Sequence, residues 1–305
     1  YYLYIKIKKK FTENGIEEVI NEAMLPLSDE EYIVKKYRKS DVDYSHIRYN
    51  LDKLYDERKK FQINYSYLPY TKIDKSLSYD ENAQKLYEST GMLNVTKLDY
   101  YYNNTYVDTS NFNHIHLSEC FDLNYIELTS VSMSSILNAS SPYTYIHFHI
   151  LVYNFTFQDM KKLIQLRRIN KNVEFVFYNS KQAYYDYGEK AGLYRQGLGD
   201  FSKALAPEIV NNTNKLLILD SGDMIAQKDI SEIYFYDIGD NYFGWVLDPI
   251  AGNEYYLFYR NIIYPNTGVC LVNIRLFRQD NLYRSCYFIF LSYYNILKLP
   301  FQDKS

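Results

Sequence analysis

The chain of 305 residues carries 34 Lys and Arg against 37 Asp and Glu, a formal net charge of −3, and 47% of it is hydrophobic. That length accommodates one large domain with an appendage, or two domains, and the charge balance excludes a general attraction to nucleic acid. No apolar run reaches the roughly 18 residues of a membrane-spanning helix, and no secretory signal pattern opens the chain, although its start at Tyr1 leaves room for a leading segment.

Residues 6–10 form a basic run that reads as solvated surface. Ile16, Val19, Ile20 and Ala23 recur at helical spacing. Ser28 followed by Glu31 is a capping box that opens the next helix. Ile47, Leu51, Leu54 and Tyr55 mark a further amphipathic helix, and Ala83, Leu86 and Tyr87 a fourth with Gly91 as its stop. No catalytic constellation falls in this part. Residues 1–108 therefore read as a mainly helical appendage or stem and residues 109–305 as the main domain, with the polar stretch 103–113 as the boundary.

Beyond that boundary the pattern changes. Strand-like runs at 115–119, 145–152 and 173–178 alternate with helical patterns over 125–137 and 157–169. Such alternation builds βαβ units, and the expected fold class is α/β with a mostly parallel sheet flanked by helices. His147 and His149 alternate along the second strand, share one face and read as structural. Residues 184–200 carry Gly188, Gly192, Gly197 and Gly199 and read as a loop; the Gly-x-Gly at 197 follows no strand and is not a dinucleotide fingerprint. A helix over 203–210 leads into a strand at 215–219, followed by strands at 242–247 and 268–274 and a helix over 283–293.

The strand at 215–219 is the informative one. Leu216, Leu217, Ile218 and Leu219 form an apolar run of the kind buried on both faces. It stops at Asp220, and Asp223 follows across a Ser-Gly turn. Two carboxylates after a buried strand lie where open α/β sheets hold ligands. Hard oxygen ligands suit Mg²⁺ or Mn²⁺, and such an ion is well placed to hold a diphosphate. The same residues also read as an ordinary solvated turn. An apolar strand ending in Asp suits an aspartate-nucleophile phosphohydrolase too, but Gly222 stands where that class places its second acid.

Cys120, Cys270 and Cys286 lack paired metal spacing, and Cys270, inside an apolar block, reads as buried and inert. Sequons at Asn64, Asn94, Asn103, Asn138, Asn154 and Asn211 exceed the roughly three expected by chance and favour a luminal compartment, endoplasmic reticulum or Golgi.

About forty residues after the acidic turn comes Tyr264-Pro265-Asn266-Thr267-Gly268-Val269-Cys270-Leu271-Val272-Asn273. Together the two blocks resemble glycosyltransferase family 8, which pairs a strand ending in Asp-x-Asp with a later Asn-x-Gly-Val. Asp229 to Tyr234 resembles the family's Asp-Leu-Ser-Glu-Leu segment, and residues 115–137 its nucleotide-binding start. The likeness covers about residues 112–303. It implies a GT-A-type (Rossmann-like) fold and retaining transfer of a hexose from a UDP-sugar donor to a hydroxyl of a glycan, protein or lipid, with Mn²⁺ or Mg²⁺ as cofactor.

Residue by residue, the resemblance makes Asp220 and Asp223 the metal ligands. The spacing departs from Asp-x-Asp by one residue, which Gly222 would absorb by turning the backbone. Ser118, Asp122 and Tyr125 would lie near the uridine, with Tyr125 either stacked on the base or a core aromatic. Lys203 stands four residues before Pro207, where relatives carry Arg, and would pair with a donor phosphate or lie solvated on its helix. Asn266 and Gly268 would lie beneath the donor sugar. Gln302-Asp303 resembles a catalytic Asp-Gln pair, which makes Asp303 the catalytic candidate. The family pattern continues into a strand with a metal-binding His and then a Lys that meets the diphosphate; neither precedes Ser305, so the C-terminal end of the domain is expected to be missing. A degenerate domain that binds sugar nucleotide or a partner without turnover is the alternative reading.

Overall fold

A computed structural model describes residues 73–104, 108–180, 198–210, 212–220, 222–247, 265–280 and 282. The helices expected before residue 73 and over 283–293, the capping box at Ser28, most of the glycine-bearing stretch 184–200, and Asp303 lie outside the described residues.

Seven strands form one sheet: β1 (Met92–Asn94), β2 (Asn113–Phe121), β3 (Thr144–Val152), β4 (Val173–Asn179), β5 (Lys215–Leu219), β6 (Phe243–Leu247) and β7 (Pro265–Asn273). Their order is β1-β4-β3-β2-β5-β7-β6. The central four, β4, β3, β2 and β5, run parallel. β1 joins β4 antiparallel, β7 joins β5 antiparallel, and β6 joins β7 antiparallel. The α/β class expected from the alternation is the one observed, with a parallel centre and antiparallel flanks. Apolar periodicity carries no strand polarity, so those flanks could not be read from it.

The helices are α1 (Tyr79–Thr90), α2 (Val95–Asn103), α3 (Ile126–Ala139), α4 (Phe157–Ile164), α5 (Leu198–Ile209), α6 (Ser231–Tyr234) and α7 (Ile274–Gln279). Strand residues alternate between two cores, as the pleat requires. Leu117, Phe148, Phe175 and Leu217 share a cluster with Leu98 of α2, Met133 of α3 and Met160 of α4. Cys120, Leu151, Val176 and Ile218 share the other with Leu205 of α5 and Phe277 of α7. Covering both faces explains why Leu216 to Leu219 of β5 read as a continuous apolar run.

Residues 79–103 are built into this assembly. Ser78 caps α1 through the full capping box with Glu81, and Gly91 ends the helix at φ 69°. Ala83, Tyr87, Leu93, Val95 and Leu98 enter the same cluster as the central strands. The three-residue β1 and the tyrosine-rich α2 escaped the sequence reading. One is too short to show a period, and the other, capped by the Asn94 side chain on Lys97 N–H, carries few aliphatic markers. α5 starts at Leu198, so Gly199 lies in that helix and not in the expected loop.

A histidine ladder fills the face of β2 and β3 toward their N-terminal halves. His116 and His147 stack with ring centroids 4.2 Å apart. His114 Nδ1 meets His147 Nε2 at 2.8 Å, and His116 Nδ1 meets His149 Nε2 at 2.9 Å. His147 Nδ1 donates to Glu174 Oε2 at 2.5 Å, Asn94 Nδ2 donates to Glu174 Oε1 at 2.7 Å, and His114 Nε2 donates to Thr109 O at 2.8 Å. The chain from Thr109 O to Glu174 thus ends in an acceptor at each side. Burial works against the Glu174 charge, but the bonds from His147 and Asn94 hold its carboxyl below the usual range. His147 and His149 share one face of β3, as their alternation implied, and both bond to histidines of β2.

Candidate functional site

In chain order β2, β3 and β4 step away in one direction, and β5 then returns to the other side of β2. The strand order therefore reverses between β2 and β5. In open α/β sheets the crevice beyond the C-terminal ends of the strands at such a switch point is the ligand site. Asp122 follows the end of β2, and Asp220 the end of β5.

Asp220 is half-buried and Asp223 exposed, on one turn in which Asp223 N–H reaches back to Asp220 O at 3.5 Å. Gly222 adopts φ 87°, the left-handed geometry that lets this longer turn close. A methyl group there would fall 2.7 Å from Leu128 Cβ, because the turn sits directly on the first turn of α3. Downstream, Ala226 N–H donates to Ser135 Oγ at 2.8 Å. Asp229 accepts from Ser141 N–H at 2.6 Å, Thr144 Oγ1 at 2.9 Å and Ser231 N–H at 2.8 Å. Burial opposes its charge, yet those donors hold its carboxyl below the usual range. The Asp229 block is thus a clamp that fixes the acidic turn on α3 and β3.

The antiparallel pairing of β5 with β7 places Asp220 opposite Gly268, and Asp220 N–H donates to Gly268 O at 2.8 Å. Gly268 N–H donates to Asn266 Oδ1 at 2.7 Å. A Cβ at Gly268 would lie 2.7 Å from Asp220 Oδ2 and 2.8 Å from Asn266 Oδ1. Two side-chain oxygens therefore stand over a glycine α-carbon, and only glycine leaves them that space. The acidic turn and the Asn-x-Gly block, separate in sequence, meet here.

Lys203 reaches the same point from α5. Its Nζ donates to Asp220 Oδ1, with the two side chains 16% and 29% exposed. Arg278 of α7 fixes the end of α5, donating to Pro207 O at 2.9 Å and Val210 O at 2.6 Å. Those bonds supply the partners that the last helical carbonyls lack. Sequence reading paired Lys203 with a phosphate or with solvent; the structure gives it a carboxylate.

Asp122 Oδ1 accepts from Asn124 N–H at 2.8 Å and caps the 3₁₀ turn Leu123–Tyr125. Tyr125 follows with 48% exposure, so it is no core aromatic. Ser118 is fully buried inside the sheet, its Oγ 3.7 Å from Cys120 Sγ; it backs the crevice and does not line it. Cys270 is buried, and burial pushes its thiol up to about 12, which leaves it inert.

The oxygen donors Asp220, Asp223 and Asn266 suit a hard divalent ion, and an ammonium already stands against Asp220 as a cation would. Among the described residues, no three His, Cys, Asp or Glu side chains form a group able to hold a metal.

A family model, glycosyl transferase family 8, matches residues 116–304. No match is found among curated protein sequences. Similar solved structures include the bifunctional glycosyltransferase WbbM in its apo form, at 15% identity and TM-score 0.49 over 57% of this chain and 34% of that one. Galactosyltransferase LgtC in complex with donor and acceptor sugar analogues is similar at 21% identity and TM-score 0.45, over 57% of this chain and 65% of that one. Mouse xyloside xylosyltransferase 1 is similar at 15% identity and TM-score 0.45, over 57% and 72%.

Proposed function

The chain belongs to glycosyltransferase family 8, and from that premise we propose that it transfers a hexose from a UDP-sugar donor to an acceptor hydroxyl, with retention and with Mn²⁺ or Mg²⁺. The observation that carries this is the meeting of Asp220 with Gly268 and Asn266 at the switch point between β2 and β5. Asp220 and Asp223 would hold the ion, which when bound would neutralise charge developing on the leaving diphosphate. Asp122 and the exposed Tyr125 follow the end of β2 and would meet the uridine, with Ser118 buried in the same strand. Gly268 leaves room for the side-chain oxygens of Asp220 and Asn266 over its α-carbon, and Asn266, oriented by Gly268 N–H, would lie beneath the donor sugar. Asp303 remains the proposed polar group near the anomeric carbon. The acceptor is a glycan, protein or lipid.

The second reading is a domain that binds sugar nucleotide or a partner without turnover. The Lys203–Asp220 pair favours it, since a cation already occupies one oxygen of the first metal ligand. A luminal location is proposed on the sequons, of which Asn94 drops out because its buried amide is bonded to Glu174. Asn103, Asn138 and Asn154 are exposed. No helix among the described residues is long and apolar enough to cross a membrane.

Release of UDP from UDP-glucose and UDP-galactose, with and without Mn²⁺, tests the function. Mn²⁺-dependent release that disappears in Asp223→Asn supports transfer. UDP binding without release selects the second reading, and no binding of UDP at millimolar concentration would rule out transfer from a UDP-sugar and leave only the partner-binding form of the second reading.

A further inference from the structure

The two carboxylate oxygens of Asp220 have different neighbours. Oδ1 accepts from Lys203 Nζ, and Oδ2 faces the α-carbon of Gly268. Neither partner is a chance surface contact. Lys203 projects from a helix whose Leu205 and Ala206 are buried and whose last carbonyls are held by Arg278. The Asp220 backbone is fixed to Gly268 O at 2.8 Å. Asp223, three residues on, stays exposed. The two acids of one motif are thus in unequal states: one is held by an ammonium, the other is open to solvent.

An ammonium and a divalent ion repel each other and compete for the same oxygen. Resting on the transferase reading above, we propose that Lys203 is the resident counter-cation of Asp220 and makes ion binding wait for the nucleotide. With Lys203 on Asp220, a divalent ion would meet a carboxylate already neutralised. A diphosphate arriving beside the turn offers Lys203 a second anionic partner. Lys203 then turns toward it and leaves Asp220 to the ion. Metal and diphosphate consequently bind with positive coupling, and by linkage each strengthens the other by the same factor. Lys203 is here a positioning residue, acting on the metal site through Asp220.

The test is Mn²⁺ binding to the full 305-residue chain, read from the electron paramagnetic resonance of free Mn²⁺. It is run with and without UDP and corrected for Mn²⁺ bound by UDP in solution. The parent, Lys203→Arg, Lys203→Met and Asp220→Asn are compared. Lys203→Met should bind Mn²⁺ alone about tenfold more tightly and lose most of the enhancement by UDP, within the 5- to 150-fold range common for coupled sites. Lys203→Arg, which keeps the charge, should retain the enhancement, and Asp220→Asn should weaken binding. If Lys203→Met loses its fold by circular dichroism, Lys203→Gln carries the same expectation. Mn²⁺ affinity unchanged or weaker in the uncharged variant, with UDP enhancement retained, overturns the inference and leaves the transferase reading standing. No Mn²⁺ binding with UDP in any of the proteins overturns both the inference and the metal-dependent transferase reading.

Discussion

At the edge of the sheet Asp220 keeps 29% of its side chain exposed and shares its charge with a single lysine, whereas Glu174, three strands away, is 12% exposed and bonded by His147 and Asn94. Both are carboxylates on strands of the central parallel set or at their ends. The difference lies in what water can reach. A buried charge persists only when its oxygens are fully partnered, and removing one partner strands the others. A carboxylate at the strand ends with one cation on it can exchange that cation for another. The first arrangement makes a scaffold; the second leaves a site open to ligand.

The largest expected effect breaks the sealed cluster. Glu174→Ala would orphan buried donors on His147 and Asn94, costing about 3–5 kcal/mol of stability. Urea denaturation measures it, and a loss under about 1 kcal/mol would show the ladder to be solvated.

Acid should act on the same cluster. Burial, then the neighbouring imidazoles, lowers His116 to about 3 and His149 well below 6.5. The unfolded chain takes up protons below about 6.5 that these rings refuse, so this stability is complete above that pH and falls as pH drops. The slope is up to about 1.4 kcal/mol per pH unit for each histidine. Unfolding midpoints between pH 7.5 and 5 check this; a flat profile contradicts it.

At the edge, Gly268→Ala would push a Cβ into Asp220 Oδ2 and Asn266 Oδ1, at an overpacking cost of about 1–3 kcal/mol. Its signature would be weakened UDP binding out of proportion to the shift in melting temperature. Binding intact in the folded variant would mean that Gly268 does not shape the site.

The smallest change in stability belongs to Asp223→Asn. An exposed turn residue should alter stability by no more than about 0.5 kcal/mol, while Mn²⁺-dependent UDP release is lost. If the two losses track each other, the comparison between scaffold and site fails.

Some of this could be read directly from the residues. The run at 216–219 is apolar because both faces of that strand are covered, so burial wrote itself into local composition. Ser78 with Glu81, and Gly91, mark their helix because capping is settled within one turn of chain. The acidic turn was visible for the same reason, since Asp220, Gly222 and Asp223 are neighbours in sequence.

Other features were set only by partners far along the chain. The antiparallel course of β7 brings Gly268 onto Asp220, and nothing in either segment specifies that polarity. Arg278 holds α5 and thereby sets where Lys203 reaches, a link between helices that periodicity cannot show. The four histidines alternate visibly on their strands, but the register of β2 against β3 decides that His116 meets His147 and His149. Local sequence determined which residues seek burial and where the chain turns. Which charges would be sealed together, and which would face an exchangeable cation, depended on strand order and register, because electrostatic partners are chosen by distance in space and not along the chain.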